Sequence, residues 1–133
     1  MDIDKAWDKK NIALGTKKYS LSQIENDILR KMGDARIHFA INCASESCPK
    51  LLNRAFNNKS LNKYLNQTTT SFLADASKND FTSNPIKVSK IFEWYKNDFT
   101  KGNIITFIND NSSLNLAADS KTEYLEYDWS LND

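Results

Sequence analysis

The apolar residues of this chain never run together for more than a few positions. They fall in short blocks whose spacing changes from helical to strand-like and back, divided by polar stretches rich in Asn and Lys. A chain patterned this way assembles several short elements around a shared core. With 133 residues, 40% of them hydrophobic, there is enough apolar material for one core, so a single domain spanning residues 1–133 is expected.

The blocks read in order as follows. "NIALGTKKYSL" is hairpin-like, with Gly15-Thr16 as the turn and Ile12, Leu14 and Tyr19 as its apolar residues. Ser20 can cap a helix through Gln23, with a second option at Ser22 and Glu25, and Leu21, Ile24, Ile28, Leu29 and Met32 form its stripe with Gly33 as its stop. "RIHFAIN", residues 36–42, alternates as a strand, with Ile37, Phe39 and Ile41 on one face and His38, Ala40 and Asn42 on the other. Pro49 predicts a short helix over "PKLLNRAF" with Cys48 at its start. Ser60 caps a longer one, "SLNKYLNQTTTSFLADAS", whose middle is weakened by Thr68 to Thr70. "IKV" follows as a strand. Ser89 opens the aromatic helix "KIFEWYKNDF", "GNIITFIND" supplies another amphipathic turn or two, and "TEYLEYDW" alternates as a last strand. Trp94, Tyr95, Phe99, Tyr127 and Trp129 sit at helical or strand spacing and are expected in the core. The fold class is α+β: several short helices around a small, mainly antiparallel sheet centred on residues 36–42.

Charge excludes some partners. Eighteen basic against 17 acidic residues leave no surplus to neutralise phosphates, so nucleic acid is not expected. No stretch approaches the roughly 20 apolar residues of a membrane span, and no secretory apolar region follows Met1, a start that need not be the natural one. The carboxy-terminal end is acidic: Asp110, Asp119, Glu123, Glu126, Asp128 and Asp133 face Lys121 alone. A docking surface for a protein partner and a merely solvated face both fit this bias.

The only histidine and both cysteines lie in "RIHFAINCASESCPKL", residues 36–51. On a continuous strand His38 and Cys43 would stand about 16 Å apart, on opposite faces. A nucleophile–base pair therefore needs the chain to fold back after Ile41, or a base such as Asp128 from a neighbouring strand. Cys48, at a helix start, would feel the dipole and become the more reactive thiol. A Cys43–Cys48 disulfide is feasible if the loop brings the Cα atoms within bridging range, and belongs in an oxidising compartment such as a periplasm or the secreted space. One His with two Cys falls short of a zinc set, and no cofactor motif is present, so neither metal nor cofactor is expected.

Four segments in this order, "YSLSQIENDILR", "RIHFAINCASESCP", "SKIFEWYKNDF" and "YLEYDWSLN", resemble the DUF547 family, a domain of unknown function found in bacteria and plants. The resemblance covers Gly15 to Asn132 and implies the carboxy-terminal part of the family's domain, because the family's upstream F-W-I-N-x-Y-N type of block has no counterpart before Ile12. The family pattern also implies that Cys43 is the more regular of the two cysteines. Two functions follow as expectations. The favoured one is a non-catalytic module of the cell envelope, with a structural cysteine loop. The alternative is a thiol-dependent enzyme, a cysteine-hydrolase-like acyl transferase or peptidase. There Cys43 would be the nucleophile, Asn42 or loop amides the oxyanion donors, and His38 or Asp128 the orienting or deprotonating group, with Cys48 as the other reactive thiol.

Overall fold

A computed structural model describes residues 5–132; Met1 and Asp133, to which two of the expectations above refer, lie outside them. The chain divides into two compact units, one up to Asp34 and one from Ala35 onward.

In the first unit, β1 (Ile12–Leu14) and β2 (Lys17–Tyr19) pair antiparallel, Ile12 opposite Tyr19. The two-residue turn places Gly15 at φ 62°, a value glycine adopts without the Cβ penalty. The next segment is helical from Leu21 to Met32, as α1 (Leu21–Gln23), a π-helical stretch (Ile24–Leu29) and a 3₁₀ turn (Arg30–Met32). The capping box is formed: Gln23 N–H donates to Ser20 Oγ at 3.1 Å and the Ser20 N–H to Gln23 Oε1 at 3.2 Å. Gly33 ends the segment in the left-handed conformation, φ 75°.

The second unit is organised around α2 (Leu61–Ala74), β3 (Ile86–Val88), α3 (Ile91–Trp94), α4 (Ile104–Asp110) and β4 (Thr122–Tyr124). Strands β3 and β4 run parallel, Val88 opposite Tyr124, with α3 and α4 in the crossover between them. Phe39, Phe92, Phe99, Val88 and Ile108 are fully buried, and Phe72 and Phe107 nearly so. Phe39 contacts four other rings at centroid distances of 4.8 Å (Phe72), 5.7 Å (Phe92), 5.8 Å (Phe99) and 6.0 Å (Phe107), tying residues 35–39 to α2, α3 and α4.

The α+β class stands, with corrections. There are two two-stranded sheets among the described residues, one antiparallel and one parallel, so the sheet is only partly antiparallel. Residues 36–42 are not its centre: Ala35–Phe39 is a 3₁₀ segment, and the Ala40 and Ile41 amides both bond back to the Ile37 carbonyl. The alternating pattern misleads because His38 is buried beside Ile37 and Phe39, its polar ring satisfied by a carboxylate far away in sequence. No helix forms over residues 49–56, where the Pro49 carbonyl accepts from Asn42 Nδ2 and Leu51 is 74% exposed.

Helix α2 forms as expected. Thr68 and Thr69 do not break it, since both hydroxyls donate to the Leu65 carbonyl, at 3.2 and 2.7 Å. Ser60 precedes it but makes no side-chain cap; Asn57 Oδ1 instead accepts from the amides of Lys59 and Ser60. Ser89 Oγ accepts from the Ile91 amide, and Asn103 Oδ1 caps α4 through Thr106. The last strand stops at Tyr124, well short of Trp129.

Candidate functional site: the disulfide loop and the carboxy-terminal tail

After Ile41 the chain turns sharply, Ala44 taking φ 60°. Asn42 spans the turn, accepting from the Ala44 amide through Oδ1 and donating to the Pro49 carbonyl through Nδ2, both at 2.8 Å. This brings Cys43 and Cys48 together as a disulfide, Cα to Cα 6.0 Å. Cys48 therefore does not sit at a helix start, and the dipole argument for its reactivity lapses.

The loop is laced to residues 127–132. Ala44 O accepts from the Asn132 amide at 3.2 Å, Glu46 N–H donates to Ser130 O at 2.8 Å, and Ser47 N–H to Asp128 O at 3.2 Å. Ser47 Oγ accepts from the Asp128 amide at 2.9 Å. Beneath this ladder Tyr127 OH accepts from Ser45 Oγ at 3.0 Å and lies 3.3 Å from Cys43 Sγ. A bridged sulfur carries no proton, so the tyrosine hydroxyl is the donor there. On the other side Lys78, 7% exposed, donates to the Glu46 carbonyl oxygen and pairs with Glu46 Oε1 at 3.6 Å.

His38 and Asp128 are placed by different contacts. The His38 ring is buried, 2.9 Å from Asp98 Oδ2 through Nε2, and stacks on Tyr95 at 4.0 Å. Asp128 meets the cysteine loop through its backbone, while its carboxylate accepts from the amide and hydroxyl of Ser130 at 2.8 and 2.6 Å. Those bonds, the hydroxyl's first, hold the Asp128 carboxyl below the usual carboxylate range.

Burial pushes the Tyr127 phenol above its ordinary value, against a smaller opposing effect of the Ser45 bond. A raised phenol contributes stability that is whole below about pH 10 and is lost as pH climbs through the folded value. The stability gap between the native protein and Tyr127→Phe should therefore narrow in the alkaline range; a gap that stays constant in urea titrations between neutral and strongly alkaline pH contradicts this.

Where the tail crosses α3, Trp94 of that helix meets Tyr127 and Trp129 of the tail. Trp94 and Trp129 stack at 5.6 Å, and Tyr127 lies 4.8 Å from the first and 4.5 Å from the second. Trp94 is 45% and Trp129 66% exposed, whereas Phe99 is fully buried. The expectation of a common aromatic core thus holds for Phe99, holds in part for Tyr95 and Tyr127, which are half-buried against that core, and fails for the two tryptophans, which end up where the tail crosses α3 outside it. Exposed Glu93, Glu126 and Asp128 neighbour them in sequence. Lys78, Asp98 and Tyr127 gained their roles from contacts between segments dozens of residues apart. The one sequence signal was for Asp98, since a histidine buried between Ile37 and Phe39 requires a polar partner.

The fold is α+β, and within its second unit the disulfide loop is sewn to residues 127–132. The chain belongs to the DUF547 family, described as a protein of unknown function, whose sequence profile matches residues 2–73. That match holds the first two of the four resembling segments and both cysteines; the other two segments lie beyond it. No curated protein and no solved structure matches the chain. No helix among the described residues is long and apolar enough to cross a membrane.

Proposed function

We propose that this chain is a non-catalytic interaction module of the cell envelope or secreted space that docks a protein partner bearing exposed Lys or Arg residues. The carrying observation is the pair of exposed tryptophans, Trp94 of α3 and Trp129 of the acid-rich tail, packed on the half-buried Tyr127 where a disulfide loop holds the tail. Aromatic faces in an acidic surround attract cations by quadrupole and charge together. The bridge engages both sulfurs and suits an oxidising compartment. The thiol-enzyme alternative draws support from two contacts: once reduced, Cys43 would keep the hydroxyls of Ser45 and Tyr127 within reach.

Titrating the protein with an arginine-rich peptide and a glutamate-rich peptide of equal length, followed by tryptophan fluorescence, tests the docking face. The arginine peptide should bind saturably and weaken as salt rises. Trp129→Ala should reduce its affinity by about two- to fivefold with the circular dichroism spectrum unchanged. Equal binding of the two peptides, or a Trp129→Ala variant that binds like the native protein, would sink the proposal.

A further inference from the structure

We propose that the partner of the Trp94–Trp129 face is a second copy of this chain, which presents its lysine-rich hairpin β1–β2; this rests on the docking reading above and names its partner. From Lys9 to Gln23 the chain carries four lysines, Lys9, Lys10, Lys17 and Lys18, and no acidic residue. All four are exposed, and none has a carboxylate partner among the described residues. From Thr122 to Asn132 the balance is reversed: Glu123, Glu126 and Asp128 are exposed and no basic residue stands among them. Glu123 and Glu126 have no ion-pair partner among the described residues, and the Ser130 bonds to Asp128 leave its charge in place. Glu93, beside Trp94, is already paired with Lys90 at 3.5 Å and adds nothing to the attraction.

Apolar surface on both faces adds to the charge. At the hairpin tip Leu14 stands opposite Lys17, so the two share one face of the ribbon, and Leu14 is 51% exposed. On the tail, Trp129 and Leu131 are 66% and 77% exposed. Setting Lys17 over an indole with Leu14 beside it covers apolar surface and brings the ammonium to a ring face among carboxylates. Every copy carries both faces, so the complementary surface is present wherever the chain is. The faces differ, which makes the contact heterologous: each copy gives its hairpin to one neighbour and its tail to another, and assembly continues past two copies unless a ring closes.

Sedimentation of the full chain from micromolar to millimolar concentration tests this. The average mass should climb with concentration and return to that of the monomer as salt rises or as the arginine-rich peptide competes for the tail. Lys17→Glu with Lys18→Glu should weaken association about tenfold and still bind the arginine peptide, because its tail is intact. Lys17→Gln with Lys18→Gln, at the same exposed sites, should give a smaller loss in the same direction. Glu126→Lys with Trp129→Ala spoils the tail and should weaken association as well. Mixed with the hairpin charge reversal, that variant should form a complex of two copies and no more, since one intact hairpin then faces one intact tail. A native chain that binds the arginine peptide yet stays monomeric overturns this inference and leaves the docking reading standing; one that does neither overturns both. Association that resists salt, resists the peptide, survives the hairpin reversal, or is not restored in the mixture places the contact elsewhere and overturns the proposal.

Discussion

Phe39→Ala should cost about 3–5 kcal/mol of stability. Its ring is fully buried and touches Phe72, Phe92, Phe99 and Phe107, so truncation leaves a cavity walled by four rings fixed on three different elements and the turn after α3. Such walls collapse poorly, because each ring also packs against the others: Phe92 to Phe99 at 4.8 Å and Phe99 to Phe107 at 4.9 Å. In urea the midpoint should fall by about 2 M, taking a denaturant slope near 2 kcal/mol per M, or the variant should be unfolded in buffer. Leu51→Ala, at a site 74% exposed, should move by no more than about 0.5 kcal/mol. A Phe39→Ala midpoint as close to native as that of Leu51→Ala would refute the aromatic core described above.

Replacing both cysteines, Cys43→Ala with Cys48→Ala, should cost about 2 kcal/mol, the loop-closure entropy of a bridge joining residues five apart. For a chain of this length that is about 7 °C in Tm. The effect should be largest near residues 127–132, since the loop amides and carbonyls that hold the tail lie between the two sulfurs. Hydrogen exchange at Asp128 and Asn132 should therefore quicken more than exchange within α2. If the cysteine loop is structural, the double variant keeps arginine-peptide binding wherever it is folded. Loss of binding in a folded variant contradicts that role. Alkylation of the reduced native protein supplies the other arm: a Cys43 thiol reacting with an apparent pKa well below about 8.5 turns the reading to the thiol enzyme.

The elements that local chemistry specifies were legible in the sequence. Gly15-Thr16 needs a tight turn, Ser20 and Gln23 cap each other, Gly33 takes a left-handed stop, and the stripe from Leu61 to Leu73 has helical period. Each of these is settled by residues within a few positions of one another, and so was the feasibility of a Cys43–Cys48 bridge.

What tertiary structure alone decided depends on partners distant along the chain. The alternation in residues 36–42 suggests a strand until Asp98 gives His38 a reason to be buried; with that partner the segment coils into a 3₁₀ turn that sends His38 and Phe39 inward together. The alternation after Tyr124 suggests a longer strand, but residues 128–132 spend their backbone bonds on the cysteine loop instead, which leaves Trp129 outside the core. Periodicity records which residues are apolar. A buried polar group's hydrogen-bond partner and an unpaired backbone's ladder are fixed only when separate segments meet, and in this protein those meetings made the site.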